Sequence, residues 1–250
     1  MQTITRLEEL SLNSWPALAS IHYDGWIIRL ADRFTDRSNS VWPLYESTLD
    51  PEQKISRCES LYGGFRQPAV FRINTSDFPL QLDRRLQDLG YSLKTITSVQ
   101  TRRIDDLSLD ERDGNVNIDT TLTDDWSDDV STFVALGDRK SIYHRILGRI
   151  MLPTAYATLR IGSSLAAIGL GVLEDGHLGI YGMVTHPTFR RQGLARRVLN
   201  SLLNWARSCG ASVAYLHVEE DNTPALSLYE AIGFEEVYQY WYRVQPGDFV

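Results

Sequence analysis

Residues 178–198 constrain this chain more than any other stretch. An apolar, β-prone run from Leu178 to Val184 stops at Thr185, His186 and Pro187. A basic turn follows, Phe189-Arg190-Arg191-Gln192-Gly193-Leu194-Ala195, and helical periodicity then begins, with Leu194, Val198, Leu202 and Trp205 on one face. The pattern predicts a strand, a short loop and a helix N-terminus. The first amides of a helix have no partner within it, and the helix dipole adds roughly half a positive charge at that end. Glycine lets a bulky anion approach the backbone without a Cβ in the way. The segment therefore reads as a cradle for a phosphate or pyrophosphate, with Arg190, Arg191, Arg196 and Arg197 adding charge at its rim. From these residues alone, a solvated basic helix face remains the alternative.

The rest of the chain narrows the ligand. Its 250 residues carry a net charge of −7 with a pI near 5.3, which argues against nucleic acid and anionic membranes as partners. A basic island in an acidic chain suits a small anion. The longest apolar run, Leu165 to Leu173, is about half of what spans a bilayer, and the N-terminus has no secretory pattern. Two cysteines, Cys58 and Cys209, fit neither a disulfide framework nor a zinc site. Both sit in helical patterns and read as buried free thiols in a cytoplasmic protein. Five histidines without ligand spacing predict no metal.

A repeat organises the remainder. Val70 to Thr75 followed by Leu86-Gln87-Asp88-Leu89-Gly90-Tyr91 mirrors Leu216 to Thr223 followed by Tyr229-Glu230-Ala231-Ile232-Gly233-Phe234, about 145 positions later. Each copy reads strand, Asn-Thr, helix, Gly-aromatic, strand, which predicts two copies of one fold. The division is residues 1–105, an acidic aperiodic linker at 106–115, and 116–250. Only the second copy has the basic glycine turn, and Leu86 stands where that copy has Tyr229. Thr223 reads as the cap of the last helix, with Pro224 at its first position. Residues 1–20 read as helical, and Asp24-Gly25 as a turn feeding an apolar strand.

Arg190-x-x-Gly193-x-Ala195 resembles the Q/R-x-x-G-x-G/A signature of the GCN5-related N-acetyltransferase (GNAT) superfamily, and His186-Pro187 before it is similar to the same family. Asn222-x-x-Ala225-x-x-Leu228-Tyr229-x-x-x-Gly233-Phe234 resembles the family's second motif. The resemblance covers about residues 116–245. It implies an α+β fold with a mixed sheet, two acyl-CoA N-acyltransferase-like units in tandem, the first degenerate. It implies acetyl-CoA as cosubstrate and an amine acceptor, with the protein a monomer or homodimer. The cofactor-binding residues it implies are Met183, Val184, Arg190, Arg191, Gln192, Gly193, Leu194, Ala195, Arg196, Asn222 and Tyr229. Asp24-Gly25-Trp26 and Arg37-Ser38-Asn39-Ser40 are similar to a signature of bacterial tandem-domain GNAT proteins, which places Arg37, Asn39 and Trp42 toward the acceptor. A loop that merely joins the halves is the alternative.

The chemistry sets further requirements. An amine attacks a thioester only when unprotonated, while a free alkyl ammonium has a pKa near 10, so a base or water chain must take a proton. An acid should protonate the departing thiolate, and the carbonyl oxygen requires an N–H, expected from Val184. By resemblance Tyr229 is the acid. For the base, Tyr215, His217 and Glu219 share one strand face by period two, with Glu219 placed first and His217 second. The acceptor is open, and the acidic chain leans toward a cationic one. A non-catalytic acyl-CoA-binding protein on the same fold is the other reading.

Overall fold

The computed structural model describes residues 2–76, 81–107, 115–134 and 136–249. Most of the expected linker (108–114), and Pro79, where a helix is expected to begin, lie outside them. In chain order the elements begin with helix α1 (Gln2–Ser14), strands β1 (Ala19–Tyr23), β2 (Trp26–Leu30) and β3 (Val41–Pro43), and helix α2 (Pro51–Gly64). Then come β4 (Val70–Asn74), α3 (Leu82–Asp88), β5 (Ser92–Arg103), β6 (Val116–Asp119), α4 (Asp124–Val134) and α5 (Lys140–Leu147). The chain finishes with β7 (Thr154–Ile161), β8 (Ser164–Glu174), β9 (His177–Thr185), α6 (Leu194–Ser208), β10 (Val213–Glu219), α7 (Thr223–Glu230) and β11 (Glu235–Val244). Among the described residues no helix is long and apolar enough to cross a membrane.

The eleven strands of the described residues form one sheet, in the order β1-β2-β3-β4-β11-β5-β10-β9-β8-β7-β6. The two expected halves therefore exchange strands: β11 lies between β4 and β5, and β5 lies between β10 and β11. The β5–β11 ladder is antiparallel, with Ser92 opposite Val244 and Thr101 opposite Glu235. The helix ends of the sequence repeat are capped alike. Gly90 and Gly233 have φ of 84° and 89°, and the amides of Tyr91 and Phe234 donate to the carbonyls of Leu86 and Tyr229, each at 3.0 Å. Equivalent caps ahead of two strands that pair with each other put an approximate two-fold axis through β5 and β11.

One core cluster joins Leu7, Leu10 and Trp15 of the N-terminal segment to Trp126, Tyr143 and the aromatic residues of β11. Another lies under α6, where Leu194, Val198, Leu199, Leu202 and Leu203 are buried, each worth roughly 1.5–3 kcal/mol of transfer free energy. The predicted apolar face of α6 is the observed one.

Three local expectations are corrected. Residues 19–23 form β1, not the end of a helix; the strand is exposed along both faces and so has no hydrophobic signature. It is held by the tight Asp24-Gly25 hairpin, both residues at positive φ, which pairs Tyr23 with Trp26. The cap of α7 is Asn222, whose Oδ1 accepts from the Ala225 amide at 3.3 Å, and Thr223 is the first helical residue. Cys209 is exposed at the C-terminal end of α6; only Cys58 is buried, its thiol pushed up to about 12 by desolvation.

Candidate active site

Strands β9 and β10 run parallel and pair from His177–Val213 to Ile180–Leu216, and then separate. On its other side β9 carries a bulge: Ile168 and Leu170 of β8 stand opposite Val184 and Tyr181. Gly182, at the bulge, has a φ of 55°. Tyr181 to Thr185 thus lose their β10 partner and leave a strand margin open to a ligand.

Gly193 closes the basic loop in the left-handed region, φ 74°, and is the N-cap of α6. A Cβ built there meets nothing within 4 Å, so it is the backbone angle, not crowding by the protein, that favours glycine here. Among the described residues no side chain caps this helix end. Arg190 Nε donates to the Thr185 carbonyl at 3.4 Å, and Arg196 reaches the Ala231 carbonyl at 3.0 Å, tying the loop to β9 and to the end of α7. The corresponding helix of the first half differs. Asp50 caps α2, accepting from the amides of Glu52 and Gln53, and the Asp24 carboxylate takes the amides of Thr48 and Leu49. Those hydrogen bonds, Leu49's above all, hold the Asp24 carboxyl well below the usual carboxylate range. The first helix N-terminus is capped by the Asp50 carboxylate, and among the described residues the second has no side-chain cap.

A groove of 620 Å³ runs from this loop between β9 and α7 to Tyr229. Met183, Val184, Arg190, Arg191, Gly193, Leu194, Ala195, Arg196, Asn222 and Tyr229 all line it; Gln192 is exposed and off the wall. A second cavity, of 730 Å³, lies on the other side. The two share Met183, Asn222, Ala225 and Tyr229, so they meet at that point. Tyr229 is 6% exposed, its ring against Phe234, and burial pushes its hydroxyl up to about 12.

His217 and Glu219 both line the second cavity. Ser11 of α1 donates its hydroxyl to the Leu7 carbonyl at 2.7 Å and therefore accepts from His217 Nε2 at 2.9 Å. That fixes the tautomer and makes Nδ1, which has no hydrogen-bond partner, the lone-pair nitrogen. Burial, with Arg37 and Arg72 nearby, holds the His217 pKa well below its ordinary value, so the ring is neutral at pH 7. Glu219 is exposed at the end of β10, and its carbonyl accepts from the Asn222 amide at 3.0 Å.

The acceptor-side residues separate. Arg37 lies on the cavity wall, its guanidinium 5.6 Å from the Tyr181 ring centre. Asn39 does not: its carboxamide accepts from the Ala31 amide at 2.9 Å and donates to Gln67 at 2.9 Å, holding the 31–39 loop. Trp42 does not either, being buried beneath Arg29 and Arg72 with its indole N–H on Ser40. Sequence reasoning missed Trp15, Phe34, Tyr240 and Tyr242, all on this wall. The alternation of Tyr238, Tyr240 and Tyr242 in β11 was the available signal, but only the strand exchange shows where those rings point.

A mixed sheet with two splayed parallel strands, an uncapped basic loop and a cleft at the splay defines an acyltransferase of the GNAT superfamily. The chain matches the family described as "Probable histone acetyltransferase Rv0428c C-terminal" over residues 2–243, and it belongs to that family. It is 27% identical over 255 residues to the uncharacterized N-acetyltransferase YobR of Bacillus subtilis, covering 98% of this chain and 100% of that one. It is 41% identical over 99 residues to the N-alpha-acetyltransferase RimI of Mycobacterium tuberculosis, covering 37% of this chain and 61% of that protein. Among solved structures, a GCN5-related N-acetyltransferase from Kribbella flavida superposes with a TM-score of 0.71 at 16% identity, covering 97% and 95% of the two chains. A tandem GNAT protein from the clavulanic acid biosynthesis pathway superposes at 0.67 with 12% identity, covering 96% of this chain and 88% of that one. The chain is an N-acetyltransferase.

Proposed function

We propose that the 620 Å³ groove takes acetyl-CoA and that the 730 Å³ cavity takes a primary amine, the two meeting at Tyr229. The observation that carries this reading is the shared wall of Met183, Asn222, Ala225 and Tyr229 between an anion-ready groove and an aromatic, polar cavity. The residues fit the cosubstrate. The open amides of α6 and the arginines of the loop suit its pyrophosphate, and the unpaired margin of β9 offers backbone groups to its pantetheine amides. When bound, acetyl-CoA supplies an activated acyl group as a thioester. The first half, with its helix N-terminus already filled by Asp50, serves as a partner unit that completes the acceptor cavity rather than as a second acetyl-CoA site.

The chain's own groups divide the proton work. Tyr229 holds its proton at neutral pH and donates it to the departing sulfur. The Val184 amide is the donor to the acyl oxygen. His217 lies on the acceptor wall, but its Nδ1 is buried and imidazolium would form beside two guanidiniums, so it is a poor base. Glu219, open to water at the end of β10, takes the proton away. Primary amines supplied with acetyl-CoA should give free thiol at a rate set by this protein. Acetyl-CoA binding with no thiol release from any amine would favour the non-catalytic binding protein instead.

A further inference from the structure

Arg37 lines the amine cavity, and two further guanidinium groups, Arg72 against the Tyr240 ring and Arg29 against Trp42, lie buried behind that wall. One carboxylate answers them. Glu8 grips Arg72 at 2.6 Å. Arg29 donates only to the backbone carbonyls of Arg37 and Trp15, and burial first, with Arg72 and Arg37 adding repulsion, pulls its pKa down. Arg37 packs over the rings of Tyr181 and Trp15 at 5.6 and 5.9 Å and hydrogen-bonds to the Tyr240 hydroxyl, while its Nε has no partner. Among the described residues neither Arg29 nor Arg37 has an ion pair.

The charges higher on the wall do not restore balance. Lys94 is neutralised by Asp36 at 2.6 Å, Arg33 and Arg139 add positive charge, and Glu219 stands apart at the α7 end. The cavity is thus cationic inside a protein of net charge −7. Holding a charge away from water without a partner is costly, and an entering anion recovers part of that cost. Tyr240 registers the same field: burial opposes its ionisation, yet Arg72 and Arg37 outweigh burial and hold the hydroxyl below the ordinary tyrosine value.

We propose that the acceptor is an amine that also carries a carboxylate, which Arg37 holds on the cavity floor with Arg139 at the rim while the amine faces Tyr229. This rests on the reading of the cavity as the acceptor site. It reverses the lean of the overall charge toward a cationic acceptor, because local uncompensated charge acts at contact distance while surface charge is screened within about 10 Å at 0.1 M salt. The same field disfavours an ammonium ion in the cavity and so delivers the amine in its nucleophilic, neutral form. The aromatic walls, Trp15, Phe34, Tyr181 and Tyr242, favour an acid with an aromatic or apolar body.

The test is a rate comparison on the full chain with acetyl-CoA, using the twenty amino acids and their dipeptides. Each acid is run against its C-terminal amide and, for phenylalanine, against 2-phenylethylamine. At least one acid should exceed its amide by about tenfold or more in kcat/KM. Arg37→Gln should raise KM for that acid by a similar factor, with acetyl-CoA affinity held within about twofold. Arg139→Gln, at the exposed rim, should move KM in the same direction by a smaller factor. Equal rates for acids and amides, or no acid accepted by a protein that binds acetyl-CoA, would overturn the proposal. Loss of acetyl-CoA binding in the wild type would remove the reading beneath it instead.

Discussion

Glu8→Gln isolates the electrostatics that hold α1 to the sheet. Glu8 and Arg72 are 2% and 3% exposed, and Arg72 donates Nε and an Nη to the two carboxylate oxygens at 2.7 and 2.6 Å. The Tyr238 hydroxyl donates to the same carboxylate. The Arg72 guanidinium sits 4.1 Å from the Trp42 ring centre, wedged between that ring and Tyr240. Glutamine keeps the shape and removes the charge, leaving Arg72 buried beside Arg29 and Arg37 with no carboxylate in the cluster. Breaking a buried pair this way costs about 3–5 kcal/mol. At about 2–4 °C per kcal/mol for a chain of this size, Tm should fall by roughly 6–20 °C. Scanning calorimetry and urea unfolding both read this directly. The double variant Glu8→Leu/Arg72→Met removes both charges and should recover most of the loss, since apolar replacement of a buried pair is often neutral. A fall below about 1 kcal/mol in Glu8→Gln, or a double variant as unstable as the single, would refute the reasoning.

Tyr229→Phe should cut kcat by about tenfold or more while acetyl-CoA affinity stays within about twofold, since the ring that lines the groove is kept and only the proton donor is lost. An unchanged kcat removes Tyr229 as the acid. Stability should also fall on acidification through His217. Its folded pKa is lowered, so below the unfolded value of about 6.5 the unfolded chain takes up a proton that the folded ring refuses until its own lower pKa is reached. Through that window the loss approaches about 1.4 kcal/mol per pH unit, and His217→Gln should flatten it in urea melts compared at pH 7 and pH 5. Equal slopes in the two proteins would count against the assignment.

Much of the glycine-loop side was legible because it is local. A strand ending in His-Pro, a glycine whose φ of 74° suits few other residues, and the seven buried apolar positions of α6 are all written within about thirty consecutive residues. The repeat was legible for the same reason: Gly90 and Gly233 each close a helix in the left-handed region. The acceptor side was not, because pairing across the chain builds it. β5 lies between β10 and β11, which brings Thr97 and Tyr240 to one wall, and α1 crosses to place Ser11 on His217 and Glu8 on Arg72. The resemblance places Asn39 and Trp42 with Arg37 toward the acceptor because polar and aromatic side chains there look alike in sequence, whether they face a ligand or hold a loop. β1 escaped because an edge strand exposed on both faces shows no alternation.

The most direct measurement is a calorimetric titration of the protein with acetyl-CoA, run in parallel on Gly193→Glu. That substitution forces a side chain into the left-handed region and sets a carboxylate against the incoming pyrophosphate at the open amides of α6. One site per chain in the wild type and none in the variant is the predicted result. Two sites would contradict the account of a first half already filled by Asp50. Wild-type affinity in Gly193→Glu would contradict the central claim that this loop holds the cosubstrate.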